Sequence, residues 1–253
     1  MRLELLWNLR LLCERLAEIS HENRRIKKLS RTVASQLNKY QISCLELLEL
    51  MDTNPPKCVY DIGANVGTFT LLIKAIFPNV EVHAFEPHPS LRDLFLQNTH
   101  HLKNVYFHPV AAGSQKSLMS LKVTDFVDAS SFLEVTDIGN EVYNIKKVDE
   151  IIVEVEKLDE YTVANKISLP DLIKLDIQGY ELEALKGVTN SLSHASYILS
   201  EVSFREIYYD QSLYHEIANF LAEHSFLTYA FGEGIKYGVP LMQADTLFRK
   251  FKA

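Results

Sequence analysis

Val59 to Thr70 reads VYDIGANVGTFT, and the fold is decided there. Lys57 to Tyr60 is short and apolar and follows Pro55 and Pro56, which predicts a buried strand. Asp61 is expected to end that strand. Gly63 and Gly67 then frame a tight turn into an amphipathic helix carrying Phe69, Leu72, Ile73 and Ile76. Such a strand–turn–helix unit brings backbone N–H groups and a helix N-terminus close to a ligand. Glycine suits the turn because a Cβ would block close approach or a positive φ.

The spacing is not that of a dinucleotide fingerprint, since GxGxxG would need glycine at Asn65. A carboxylate at Asp61 would also repel a pyrophosphate, but it suits a cationic group such as the α-amino end of a methionyl moiety. Val80 to Phe85 predicts a second strand, ending at Glu86, where a ribose-binding carboxylate belongs. Asp61, the glycine turn and Glu86 together point to S-adenosylmethionine rather than NAD.

Downstream of Glu86 the pattern alternates between strands and helices. A helix is expected over 90–98 and a third strand over 105–111, whose small, apolar end at Val110 and Ala111 suits an adenine ring. Residues 117–124 and 151–157 alternate like a β-hairpin around a polar loop, 125–149. Strands over 171–177 and 196–202 follow, with helices over 180–192 and 213–223, then strands over 226–231 and 246–251. Seven strands with helices between most of them, and a closing strand pair, describe an open, doubly wound α/β sheet with a hairpin insertion.

Residues 1–54 read as an N-terminal helical extension and residues 55–253 as the catalytic domain. Leu5, Leu9, Leu12, Leu16 and Ile19 follow 4–3 spacing. This seam fits either a homo-oligomerisation arm or a helix pair packed on its own domain. Residues 1–50 carry nine Lys/Arg and six Asp/Glu, so the remainder carries 26 − 9 = 17 against 33 − 6 = 27. An acidic domain argues against extended contact with nucleic-acid phosphates. No apolar run is long enough to span a bilayer. Cys13, Cys44 and Cys58 are odd in number and lack metal-ligand spacing, which fits a reducing cytoplasm.

Polar residues fall at five predicted strand ends: Asp61, Glu86, Asp125, Asp176 and Glu201. Asp176 and Glu201 are the catalytic candidates, because adjacent carboxylates raise one another's pKa and so suit a general base for a hydroxyl. The alternatives are helix capping for Asp176 and an ion pair with Arg205 for Glu201. His88, just after the second strand, is a third candidate.

The ordered motifs VYDIGANVGTFT, AFEPHP, VAAG, ASSF, VEVEKLDEY, LIKLDIQGYELEALKG and ILSEVS resemble the FkbM family of S-adenosylmethionine-dependent methyltransferases. The resemblance covers roughly residues 57–203. It implies a class I methyltransferase (Rossmann-like) fold, α/β with a seven-stranded doubly wound sheet, and methyl transfer to a hydroxyl oxygen of a sugar/glycan or a polyketide-like small-molecule acceptor. It places Asp61, Gly63, Asn65, Gly67 and Phe69 in the first cofactor motif, Glu86 on the ribose, and Val110 and Ala111 beside adenine. Asp176 and Glu201 would face the reacting centre. Gln178 stands where many members carry glutamate. Related sugar methyltransferases use Mg²⁺ held by strand-end acids; the motif itself fixes no metal-ligand set. A cofactor- or partner-binding member without catalysis is the alternative.

Overall fold

The computed structural model describes residues 39–51, 53–125 and 127–251, with the side chains of 39–43 and 127 excepted. The 4–3 seam expected from Leu5 to Ile19 lies outside the described residues.

Seven strands form the main sheet: β1 (Cys58–Ile62), β2 (Glu81–Phe85), β3 (Val105–His108), β7 (Leu172–Leu175), β8 (Tyr197–Ser203), β9 (Phe226–Lys236) and β10 (Leu241–Lys250). Their order is β3-β2-β1-β7-β8-β10-β9. Only β10 runs antiparallel to its neighbours. The order reverses between β1 and β7. The strands on either side point their carboxyl ends the same way there and leave a crevice.

Alternation along the strands sends side chains to two cores. Tyr60, Ile62, Phe85, Ile173 and Leu175 meet the helices α5 (Leu158–Ala164), α6 (Glu181–Lys186), α7 (Thr189–His194) and α8 (Tyr214–Glu223). Val59, Val82, Leu172 and Leu199 meet α1 (Lys39–Glu49) and α2 (Thr68–Ile76) on the opposite face. The remaining helix beside the sheet, α3 (Pro89–Thr99), seats Phe95 against Ala64 and Ala84.

Several expected boundaries move. Asp61 does not end its strand; it lies within β1 and is fully buried. The expected strand over 105–111 divides at Pro109, and its tail becomes β4 (Ala111–Ala112) in a separate sheet of order β4-β6-β5. That sheet contains the hairpin, β5 (Ser117–Thr124) and β6 (Lys147–Glu156), and the loop between them holds a 3₁₀ turn and α4 (Asp137–Tyr143). The helix expected over 180–192 is two helices, broken at Gly187. A Cβ on Gly187 would stand 2.0 Å from the Gly113 carbonyl oxygen, so the hairpin sheet docks there.

Helix α1 belongs to the domain. Leu45, Leu47, Leu48 and Met51 are all buried in the second core. Full burial of such side chains stabilises by about 1.5–3 kcal/mol each, a sum comparable to a whole domain's stability of roughly 5–15 kcal/mol. The described helix before the proline pair, Lys39–Glu49, therefore contributes to the core on this face of the sheet.

Candidate active site

The carboxyl ends of β1, β2, β7 and β8 open into a cavity of about 640 Å³, roofed by the hairpin and by residues 128–132. Gly63, Asn65, Phe69, Glu86, His88, Ala111, Asp176 and Glu201 line it. Asp61, Gly67 and Val110 do not. Asp125 is also outside; it is exposed and its Oδ1 accepts from the Lys146 N–H at 2.9 Å.

The glycine turn is built by internal hydrogen bonds. The N–H groups of Gly63 and Ala64 both donate to the Phe85 carbonyl, that of Asn65 to Glu86 Oε2 at 3.0 Å, that of Val66 to Asn65 Oδ1, and that of Gly67 to Ala64 O. No N–H from Gly63 to Gly67 is left for a phosphate, which separates this turn from a pyrophosphate cradle. Gly63 has φ +75°, and a Cβ there would lie 2.0 Å from the Asp176 carbonyl oxygen. Gly67 begins α2 at φ +90°, with Phe95 and Thr99 closing around it. Close packing of the protein on itself demands both glycines. Asn65 is also left-handed, at φ 49°.

Glu86 is buried and accepts from two backbone N–H groups, Asn65 and His88, the latter at 2.8 Å. Burial raises its pKa to about 7, against the pull of those two donors. It therefore ties the first loop to the second and still lines the cavity. His88 caps α3 by accepting from the Ser90 N–H at Nδ1. Its Nε2 is buried with no hydrogen-bond partner, and burial lowers its pKa.

Behind the turn lies a buried ion pair. Lys174 Nζ stands 3.3 Å from Asp61 Oδ1 and 2.8 Å from the Gly63 carbonyl oxygen. Asp61 Oδ2 accepts from the Thr70 hydroxyl at 2.7 Å. Burial raises the Asp61 pKa, with Lys174 and Thr70 pulling it back. Burial lowers that of Lys174, and Asp61 and Asp176 more than reverse this, leaving it raised. A raised Asp61 favours a neutral carboxyl, whereas a raised Lys174 favours the ammonium. The charged pair fits the geometry better, because Nζ also has a carbonyl acceptor. The Asp61 charge thus faces Lys174 from behind the cavity wall.

Asp176 and Glu201 are brought together, and one side chain joins them. Gln178 Nε2 donates to Asp176 Oδ1 at 2.8 Å and to Glu201 Oε2 at 3.2 Å. Gln243 Nε2 donates to the same Glu201 oxygen at 3.1 Å. The network fixes both amide orientations, since Tyr208 O–H donates to Gln178 Oε1 and Tyr143 O–H to Gln243 Oε1. Burial, then Asp176 and Asp245, raise the Glu201 pKa well above the usual carboxylate value. Neither alternative role is taken. Glu201 meets glutamine amides rather than Arg205, and the N–H groups of Ile177 and Gly179 are held by Glu181 rather than Asp176. The Gln178 amide also fills the space between the two carboxylates that a divalent ion would share, so this arrangement does not fit Mg²⁺.

Lys174, Gln243 and Asp245 were not singled out from sequence; Gln178 was marked there only as a departure from the motif that KLDIQGYE resembles, without a bridging role.

Residues 61–228 match the methyltransferase FkbM domain family. The chain belongs to that family. Membership makes it an S-adenosylmethionine-dependent methyltransferase domain. The chain is 24% identical over 155 residues to the hexuronic acid methyltransferase AglP of Haloferax volcanii, covering 61% of this chain and 59% of that protein. It is 31% identical over 172 residues to methyltransferase sdnD of Sordaria araneosa, covering 57% and 64%. It is 22% identical over 173 residues to the 2-O-methyltransferase NoeI of Sinorhizobium fredii, covering 66% and 71%. The chain thus spans somewhat more than half the length of the first two. No helix among the described residues is long and apolar enough to cross a membrane.

Proposed function

We propose that this domain transfers a methyl group from S-adenosylmethionine to a hydroxyl oxygen of a sugar, glycan or similar small polyhydroxylated acceptor. The observation that carries the reading is one cavity holding two different carboxylate environments. Glu86 sits on one side beside the glycine turn. Asp176 and Glu201 sit on the other, joined by Gln178. The relatives named for hexuronic acid and 2-O-methylation support an oxygen acceptor.

When bound, the cofactor supplies an electrophilic methyl group on a positively charged sulfur. Glu86 is placed to accept from vicinal hydroxyls of its ribose, with Ala111 and Phe69 offering apolar surface nearby. Asp176, whose side chain is 43% exposed, accepts the proton of the acceptor hydroxyl. Burial and the neighbouring Asp176 raise the Glu201 pKa, which favours its neutral form and opposes two adjacent negative charges in the region. Most of the rate enhancement comes from orientation in a closed cavity, with general-base help worth roughly 10²–10⁴-fold.

Glu86 provides the test of the cofactor half. Calorimetric titration with S-adenosylmethionine should show binding that Glu86→Ala removes. Only the ionised carboxylate accepts from both hydroxyls, and its pKa is about 7 before ligand binds. Wild-type affinity should therefore rise with pH through 7, and should fall by at most about tenfold per unit below it. A flat profile, or full affinity in Glu86→Ala, sinks this assignment; absence of any binding favours the non-catalytic reading.

Asp176 and Glu201 test the acceptor half. Asp176→Asn should lower kcat by roughly 10²–10⁴-fold with the cofactor Kd unchanged. Glu201 does not take the hydroxyl proton in this reading, and Glu201→Gln keeps its shape, so that variant should lose less. If both variants lose cofactor affinity as Glu86→Ala does, the division of roles is wrong.

A further inference from the structure

A second cluster of chemically capable side chains lies at the opposite end of the same strands. Cys58 begins β1, and Glu81 and His83 lie on β2, with Cys58 paired to Glu81 and Tyr60 to His83 in the parallel register. Residues two apart on a strand share a face, so Glu81 and His83 project together beside Cys58. One ligand atom from each of the three lies within 4.8 Å of the other two. Cys58 and His83 are buried; the Glu81 side chain is 33% exposed and gives the cluster a route to solvent.

We propose that Cys58, Glu81 and His83 form a binding site for a zinc-like divalent transition-metal ion, separate from the catalytic cavity. Thiolate, imidazole and carboxylate together select a borderline-soft ion such as Zn²⁺ or Co²⁺ rather than Mg²⁺ or Ca²⁺. Atoms that share one ion at bond lengths of about 2.0–2.3 Å stand closer together than 4.8 Å, so the three side chains would converge as the ion binds.

The surroundings supply the partners such a site needs. His83 Nδ1 lies 3.0 Å from His108 Nε2, and His108 Nδ1 lies 3.3 Å from the Tyr161 hydroxyl. The His83 ring is stacked on Tyr106 at 5.0 Å between centroids, which holds its plane. With His83 Nε2 on the metal, Nδ1–H donates to His108 Nε2, and His108 carries its own proton on Nδ1, facing Tyr161. A metal-bound histidine is oriented by such a second hydrogen bond. Without metal the same atoms form the opposite chain. Tyr161 O–H then donates to His108, His108 Nε2–H to His83, and His83 Nε2–H to Glu81, 2.8 Å away. Each imidazole keeps one proton in both states. The Cys58 thiol gives its proton to solvent as the metal–sulfur bond forms, so one proton is released per ion.

The test is titration of the full, reduced chain with Co²⁺, followed by absorption. One equivalent should produce the near-ultraviolet thiolate-to-cobalt charge-transfer band together with visible bands of tetrahedral intensity, and Zn²⁺ should displace them. Cys58→Ser should abolish the charge-transfer band. Glu81→Gln removes only a half-exposed carboxylate and should weaken binding by about tenfold or more without unfolding the chain. Absence of the band in the folded wild type, or a band that survives Cys58→Ser, overturns the site and leaves the Tyr161–His108–His83–Glu81 chain as a purely structural hydrogen-bond relay.

Discussion

Lys174→Met is expected to destabilise the fold by about 3–5 kcal/mol, because it removes one member of a buried ion pair and leaves the other. The lysine stem has nearly the shape of methionine, so little packing is lost. What remains is Asp61, fully buried, with Thr70 as its hydrogen-bond donor and the Lys174 charge gone. The loss should depend on pH, and its sign is fixed. Without Lys174 the Asp61 pKa rises further above its unfolded value. The variant then keeps its stability below the unfolded Asp pKa, where Asp61 is neutral in both states, and loses it as pH rises through the folded value. Urea denaturation of wild type, Lys174→Met, Asp61→Asn and the double variant would check this. The double variant should recover a large part of the single-variant loss. Simple additivity of the two losses would show that the pair is not coupled in the way the distances indicate.

Gly63→Ala should be the most damaging small substitution in the cavity wall. Its Cβ would meet the backbone oxygen of Asp176 at 2.0 Å and Ile177 Cγ2 at 2.8 Å, at a residue with φ +75°. The positive φ alone costs about 1–2 kcal/mol for a residue with a Cβ. The clash adds about 1–3 kcal/mol, since backbone cannot rotate aside as a side chain can. Relief requires the ends of β1 and β7 to separate, which moves Glu86 and Asp176 apart. Cofactor affinity should therefore fall by roughly 10²-fold even in molecules that stay folded, as misplacement of about 1 Å does elsewhere. Gly238→Ala is the control. It shares a positive φ of +67°, but its Cβ would meet only Pro240 Cδ at 4.0 Å. Thermal denaturation and calorimetry should show the conformational cost alone in Gly238→Ala and both effects in Gly63→Ala. Equal behaviour of the two variants would remove the steric argument.

The main sheet was legible because parallel strands buried on both faces read as short apolar runs, and VYDI, LIKL and YILSEV are such runs. The acids that follow them marked the crevice. Boundaries failed where tertiary contact outweighed local pattern. Val105 to Ala111 is one apolar stretch in sequence, but its end is captured by β6. Asp61 looked like a strand terminus because a mid-strand carboxylate is tolerable only with a buried cation, and Lys174 lies far away in the chain. The same separation concealed the glutamine bridge, since Gln178 and Gln243 meet at Glu201 only after β10 has folded back antiparallel beside β8. Cys58, Glu81 and His83 went unremarked for a related reason: their proximity is set by strand register, which no spacing along the chain displays.

Gln178 has one further implication. Its backbone carbonyl accepts from the Ser131 hydroxyl at 2.6 Å, and its side-chain oxygen from Tyr208, whose hydroxyl also reaches the Ala129 carbonyl oxygen at 3.0 Å. The roof segment is therefore latched to the residue that holds both carboxylates. A displacement of the segment around Ser131 would therefore pull on Gln178 as well, so the roof and the paired carboxylates of Asp176 and Glu201 are mechanically coupled.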